Sequence, residues 1–418
     1  MSDTDRTCRP RRVEAKTRFG TAAAPAASPA ASKIAVVGLG GLGSAAAYWL
    51  ARRGAQVTGY EQFELGHVRG ASHDHSRIIR RSYHTGAYVE LAAGAYDAWA
   101  AVEREIGHAL VTRTGGIDLF PPDGSIDHHA YTSSLAGAGV PFEWIDGAEI
   151  RRRWPAFARG RAADDAMAIF QADTGIVPPA RATEVLQHLA RERGARLLPR
   201  SPVRSIRPTG GEVDVVTDER TERFDAVVLA CDAWVNRLLA PLGHDVPIVV
   251  LREQVSYFPT TDLGPFQPGR FPVWIWMDDP SFYGFPVYGD PTAVKAAEDC
   301  GGSEVDPDER SFDPDDDAEA RVAGFMRRLV GDSLTGPPRT TTCLYTLTAD
   351  RDFVLDRLPD HPQVLVALGA AHGFKFASWF GRTLAELVVD GGTVDNITAF
   401  SLTRPGLHQR VDREAWLI

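Results

Sequence analysis

The sequence predicts an α/β fold of mixed α+β type, in which a discontinuous parallel-sheet domain is combined with a second domain built on an antiparallel sheet. Three observations predict it. From Lys33 a short apolar run, a glycine-rich turn and an Ala-rich stretch follow one another. From Pro247 to Ala297 the chain is dense in β-branched and aromatic residues broken by Pro and Gly, which suits antiparallel strands. Near the end QVLVALGA returns to the first pattern, so the parallel sheet must be completed from the far end of the chain.

Taken in order, Ile34 to Val37 have the continuous apolar character of a strand buried on both faces. Gly38, Gly40 and Gly43 complete G-x-G-x-x-G, and a helix is expected to about Arg53, closed by Gly54. QVTGYE then reads as a second strand ending on Glu61. Strand, glycine turn, helix and an acid about 20 residues on form the full dinucleotide-binding context of a Rossmann-like unit. The glycines admit a pyrophosphate to the positive end of the helix, and Glu61 is suited to ribose hydroxyls. An acid there repels a 2′-phosphate, which favours FAD or NAD over NADP. GIDLF (116–120) and FEWID (142–146) are expected strands around a helical region, and DAVVLA (225–230) is another buried strand. FKFASWFGRTLAELVVDGG is a helix stopped by glycines, and no internal repeat is visible.

At 418 residues the chain is long enough for two packed domains. Its net charge of −10 offers no footprint for nucleic acid, and Arg151 to Arg153 read as solvated helix surface. Cys8, Cys231, Cys300 and Cys343 lie far apart without metal or disulfide spacing, which points to a cytoplasmic protein without a metal site. No apolar run approaches the roughly 20 residues needed to span a bilayer. Residues 1–32 read as a disordered tail.

Four stretches could carry chemistry. GASHDHSRIIRRSY (Gly70 to Tyr83) gathers Arg77, Arg80 and Arg81 in a region otherwise poor in acids, suited to an anionic substrate or cofactor. GAAHGFKFASWFG (Gly369 to Gly381) joins a strand to a helix and sets Lys375 among aromatics, where an ammonium needs an anionic partner. FYGFPVYGDPTAVKAAEDCGG (Phe282 to Gly302) puts Lys295 on a small, apolar strand, which alone reads as snorkelling surface. TTTCLYTLTAD, ending at Asp350, holds Cys343, which alone reads as a small core residue.

The ordered set GLGGLG, SRIIRRSY, RRRWP, FYGFP with a lysine after it, TTTCLYT and HGFKF resembles the monomeric sarcosine oxidase family, with N-methyltryptophan oxidase, among the D-amino acid oxidase-like flavoproteins. The resemblance covers the chain from Lys33 onward. It implies a β-sheet substrate domain packed over the flavin of FAD, with Cys343 linked to the flavin 8α-methyl. It implies Lys295 at the flavin face, where it activates O2, and a substrate carboxylate held by Arg80 and Lys375. Ser76 and Arg77 fall near the flavin and Tyr283 in the substrate pocket. Ser72, Val203, Gly373 and Phe374 join the cofactor contacts, and His372 the catalytic candidates. The implied reaction is oxidation of a secondary-amine, N-methyl or cyclic amino acid to an imine, with reduced flavin returned by O2 to give hydrogen peroxide, in a monomer.

The expected domains are residues 33–112, 173–243 and 344–400 for the cofactor and 113–172, 244–343 and 401–418 for the substrate. The chain departs from the family at Asp299, where a histidine contacts substrate, and at Cys231 and Asp232, where a glycine is common. Trp274 and Trp276 are expected near the pocket wall, which suggests a bulky or aromatic substrate. The alternatives are a flavin- or NAD-linked dehydrogenase that avoids O2, or a redox-sensing module without turnover.

Overall fold

The computed structural model describes residues 32–409, so the tail expected at 1–32 and Cys8 fall almost wholly outside the described residues. Two sheets organise the rest. A six-stranded sheet has the order Val354–Arg357, Val364–Leu368, Ala226–Leu229, Lys33–Val37, Gln56–Tyr60, Arg196–Leu198. All neighbours are parallel except the first pair. Its central strand is apolar without alternation because both faces are covered, and Ile34 to Val37 are all buried. The helices Gly41–Arg52 and Ala377–Val389 pack together on one face, so closely that a Cβ on Gly381 would lie 2.5 Å from the Ala45 backbone. That contact seats the turn before Ala377–Val389, which carries Lys375, beside the glycine-rich loop.

The larger sheet has nine strands. Ile248–Pro259 and Arg339–Thr348 pair antiparallel along ten residues, from Ile248 opposite Thr348 to Tyr257 opposite Arg339. Ala293–Glu298, Phe282–Phe285, Val273–Trp276, Gly116–Phe120, Met167–Gln171 and Glu143–Ile145 continue the sheet, and Val273–Trp276 runs parallel to Gly116–Phe120. The strand Arg339–Thr348 is unbroken in this sheet across positions 343 and 344, where the sequence suggests a domain boundary.

Period-two alternation gives this sheet two unlike faces. Directly opposed residues point the same way, and Tyr257 faces Lys295, Lys295 faces Phe285, Tyr283 faces Ile275, Ile275 faces Asp118, and Glu253 faces Cys343. The other face carries Trp274, Trp276, Phe282, Val294 and Ala296 in a core against the helix Asp316–Val330. Trp274, Trp276 and Phe282 all pack on Phe325, with ring centroids 4.3 to 5.7 Å away. The expectation that these tryptophans line a pocket is therefore corrected. One residue of register turns them into the core and leaves Ile275 on the functional side.

Candidate active site

A single long cleft runs from the glycine-rich loop to the floor of the large sheet. At one end Gly38 takes φ +87°, and a Cβ there would lie 2.4 Å from the Ala230 carbonyl. A Cβ on Gly43 would lie 1.8 Å from the Gly38 carbonyl, so this glycine secures helix against turn and stands behind the cleft wall. Gly41 N donates to Ser72 Oγ at 2.8 Å, closing Ser72 over the loop beside Gly40. The helix Gly41–Arg52 has no side-chain cap and no acid in its first turn. Its N-terminal N–H groups and dipole are left for an anion, which fits a pyrophosphate. Glu61 accepts from Leu39 N at 2.9 Å and Phe63 N at 3.0 Å and lies 3.4 Å from His67 Nε2. Burial pushes its pKa up, but the hydrogen bonds from His67, Leu39 and Phe63 outweigh burial and hold it below its usual value. Val203, Cys231 and Asp232 line the same end. Burial raises Asp232 to about 6.

On the sheet floor Lys295 is 2% exposed, which excludes the snorkelling reading. Its Nζ donates to Asp74 Oδ2 at 2.6 Å, to the Ser76 carbonyl at 3.0 Å and to Ser76 Oγ at 3.1 Å. Tyr257 Oη also donates to Asp74, and Arg77 Nη1 lies 3.7 Å from the same carboxylate. Burial lowers Lys295 to about 8 and Asp74 opposes that fall. The stretch around Arg77 is thus not poor in acids where it matters: Asp74, between two histidines, is the partner of Lys295. Cys343 lies on the same face of the floor, 4% exposed, and burial raises its thiol to about 11 while the nearby Arg77 lowers it. Tyr283 Oη and Tyr345 Oη are 3.2 Å apart, and both tyrosines line the cleft.

Above that floor stand three cations with unequal partners. Arg80, 3% exposed, lies with Nη1 3.2 Å from Asp118 Oδ2 and its guanidinium 4.9 Å over Tyr83. Lys375 has no hydrogen bond to its ammonium among the described residues; the ring of Tyr83 is 5.6 Å away, and burial with the charge of Arg80 lowers it to about 7. Arg351, 1% exposed, reaches Cys300 Sγ at 2.5 Å and lies 3.6 Å from Asp299. His372 Nε2 is 2.8 Å from the Arg351 carbonyl, and burial keeps its ring neutral, so it braces the Arg351 turn. Gly373 and Phe374 are buried between this turn and the glycine loop, and a Cβ on Gly41 would strike the Phe374 ring at 2.6 Å.

The cleft therefore brings together Gly38, Gly40, Glu61, Ser72, Arg77, Arg80, Val203, Tyr283, His372, Gly373, Phe374 and Lys375 as lining. Gly43, Ser76, Lys295 and Cys343 stand directly behind it. Sequence reasoning passed over Asp74, Asp118 and Arg351. Asp118 left a signal, an acid inside an apolar strand, and Arg351 left none. Backbone strain marks the same place. Asp232, Arg351 and Ala371 have left-handed φ and line the cleft, while Asp74, Cys300 and Ala370, also left-handed, adjoin it. No cluster of side chains able to hold a metal occurs among the described residues, and no described helix is long and apolar enough to cross a membrane.

Residues 33–387 match the family described as FAD dependent oxidoreductase. The chain is 35% identical to a monomeric sarcosine oxidase of Streptomyces avermitilis over 89% of its own length and 97% of that protein. It is 30% identical to N-methyl-L-tryptophan oxidase of Yersinia pestis, over 89% and 98% of the two chains. Among solved structures, NikD, described as an unusual amino acid oxidase essential for nikkomycin biosynthesis, superimposes with a TM-score of 0.78 at 26% identity, over 89% of this chain and 97% of NikD.

Proposed function

The chain belongs to the FAD-dependent oxidoreductases, with monomeric sarcosine oxidase and N-methyl-L-tryptophan oxidase as relatives, and from that premise we propose that it oxidises an amino acid bearing a secondary amine. The observation that carries the reading is Lys375, an ammonium on the cleft wall with no hydrogen-bond acceptor among the described residues. A substrate carboxylate supplies that acceptor. Arg80, held beside Asp118 on the same wall, adds a second positive charge facing that carboxylate. The two cations hold the amino acid with its amine and adjacent C–H toward the floor between Tyr283 and Lys295.

The glycine loop, Ser72, Glu61 and the uncapped helix end would hold FAD, and their donors and shape fit its pyrophosphate and ribose. FAD held there would supply the two-electron oxidation of the C–H bond, with O2 as the final acceptor that yields hydrogen peroxide. Lys295 sets a positive charge where electrons accumulate. Cys343, buried on the floor beside Arg77, is the residue that would tether FAD covalently through its thiolate. Arg77 opposes the rise that burial imposes on that thiol.

One observation favours a second reading, a dehydrogenase that avoids O2. Asp74 at 2.6 Å cancels much of the charge of Lys295. The test is direct: the purified protein is expected to be yellow and to release peroxide with N-methyl or cyclic amino acids. Rapid anaerobic bleaching with slow reoxidation in air would select the dehydrogenase, and a colourless protein refutes both. Colour that stays with the polypeptide after acid precipitation, and is lost in Cys343→Ala, tests the tether.

A further inference from the structure

Arg351 is buried on the cleft wall, yet its donors are poorly used. One goes to Cys300 Sγ, a weak acceptor, and the Asp299 carboxylate at 3.6 Å is too far for a hydrogen bond. Its Nε has no partner. Buried guanidinium groups normally satisfy these donors with oxygens. The Arg351 backbone is left-handed at φ +62°, and its carbonyl lies 2.8 Å from His372 Nε2. Asp299 is the counterpart. Its backbone N donates to the Ser281 carbonyl, and its carboxylate, 20% exposed and on the same wall, has no hydrogen bond among the described residues.

We infer that Arg351 and Asp299 form a specificity element for a substrate substituent that both accepts and donates hydrogen bonds, a hydroxyl or a carboxamide on the side chain or ring of the amino acid. This rests on the amino-acid reading of the cleft. The element lines the same cleft as Lys375 and Tyr283, and the charges of Asp299 and Arg351 both act on Lys375. An apolar side chain would strip water from both groups and replace none of it. A second carboxylate would gain Arg351 but meet Asp299. A substituent between them takes a donor from Arg351 and returns one to Asp299, closing both orphan sets. Glu253 nearby accepts from Gly302 N and keeps its proton to about pH 8 through burial, so it adds no second negative charge at neutral pH. The tryptophans that would have argued for an aromatic substrate lie on the other face of the sheet.

The experiment measures anaerobic bleaching of the holoenzyme with N-methylserine, N-methylasparagine and 4-hydroxyproline against N-methylalanine, N-methylphenylalanine and proline, and with N-methylaspartate as the diacid. The expected result is a preference of roughly 100-fold or more in kcat/KM for the hydroxyl or carboxamide member, the behaviour of a site whose polar groups are otherwise left unpaired. That ratio is expected to collapse to within about tenfold in Arg351→Met and in Asp299→Asn, the second variant retaining the shape of the wall. Equal or better use of the apolar members, a preference for the diacid, or a ratio that survives both substitutions overturns the inference while leaving the amino-acid reading intact. Failure of every amino acid to bleach the enzyme overturns both together.

Discussion

The two ends of the cleft are built from different materials. At the glycine-loop end the donors are backbone N–H groups, and the Glu61 carboxylate is fixed by the N–H groups of Leu39 and Phe63 with His67 beside it. At the substrate end the work falls to buried side-chain charges drawn from strands and turns far apart in the chain: Asp74 with Lys295, Asp118 with Arg80, and Asp299 beside Arg351. The first design tolerates almost no added atom. The second tolerates added atoms better but is sensitive to each charge, because its ions are buried and depend on one another for stabilisation.

Gly43→Ala breaks the first end outright. Its Cβ would sit 1.8 Å from the Gly38 carbonyl, so the helix and turn must separate, at a cost of about 3 kcal/mol or more. The measurable outcome is colourless protein with a lowered melting temperature; a normal yellow holoenzyme would show that the loop has slack the geometry denies. Arg80→Met tests the second end. Loss of a charge-assisted hydrogen bond to the carboxylate is expected to weaken substrate binding by about 2 kcal/mol, close to 30-fold. Unchanged binding with lowered stability would restrict Arg80 to holding Asp118.

Asp74→Asn sharpens the comparison through pH. Asp74 keeps Lys295 protonated against burial, with the lysine losing its proton near pH 8. Without the carboxylate, that loss moves to lower pH. Reoxidation of reduced enzyme by O2, expected to fall in wild type as pH rises through about 8, should fall earlier in the variant. Stopped-flow reoxidation between pH 6 and 9 reads the shift, and coincident profiles would remove Asp74 from any role in setting Lys295.

The smallest effect concerns Glu253, whose folded pKa of about 8 lies above the ordinary glutamate value near 4.3. A group raised in this way contributes full stability below the ordinary value, and that contribution is lost as pH rises through 8. Glu253→Gln retains an acceptor for Gly302 N but does not titrate. Its melting temperature relative to wild type is expected to climb between pH 5 and 8 and then level, by an order of a few kcal/mol in stability. A constant difference across that range would mean that Glu253 ionises without hindrance in the fold.

This contrast also explains what could be read from the chain. The glycine loop, its helix and Glu61 are specified by neighbours within about 20 residues, which is the range over which strand–turn–helix patterns are legible. The mixed fold was equally legible, since buried strands and antiparallel segments differ in composition. The substrate end resists such reading because its pairs are long-range. Asp74 meets Lys295 across 221 positions, and Arg351 meets Cys300 across 51. The face on which a strand residue emerges turns on a single step of register, which is why Ile275 reached the cleft and its two tryptophan neighbours did not.

The strand Val364–Leu368 lies beside Ala226–Leu229, itself next to Lys33–Val37. During synthesis the first nucleotide-binding motif is therefore made early, but its sheet keeps an open, wholly apolar edge until residues beyond 368 have left the ribosome. Premature release just before Val364 would yield a chain that carries the whole glycine signature and all nine strands of the large sheet, yet is prone to aggregate. The cleft itself is closed only by the segment that follows that strand, from Leu368 to Lys375.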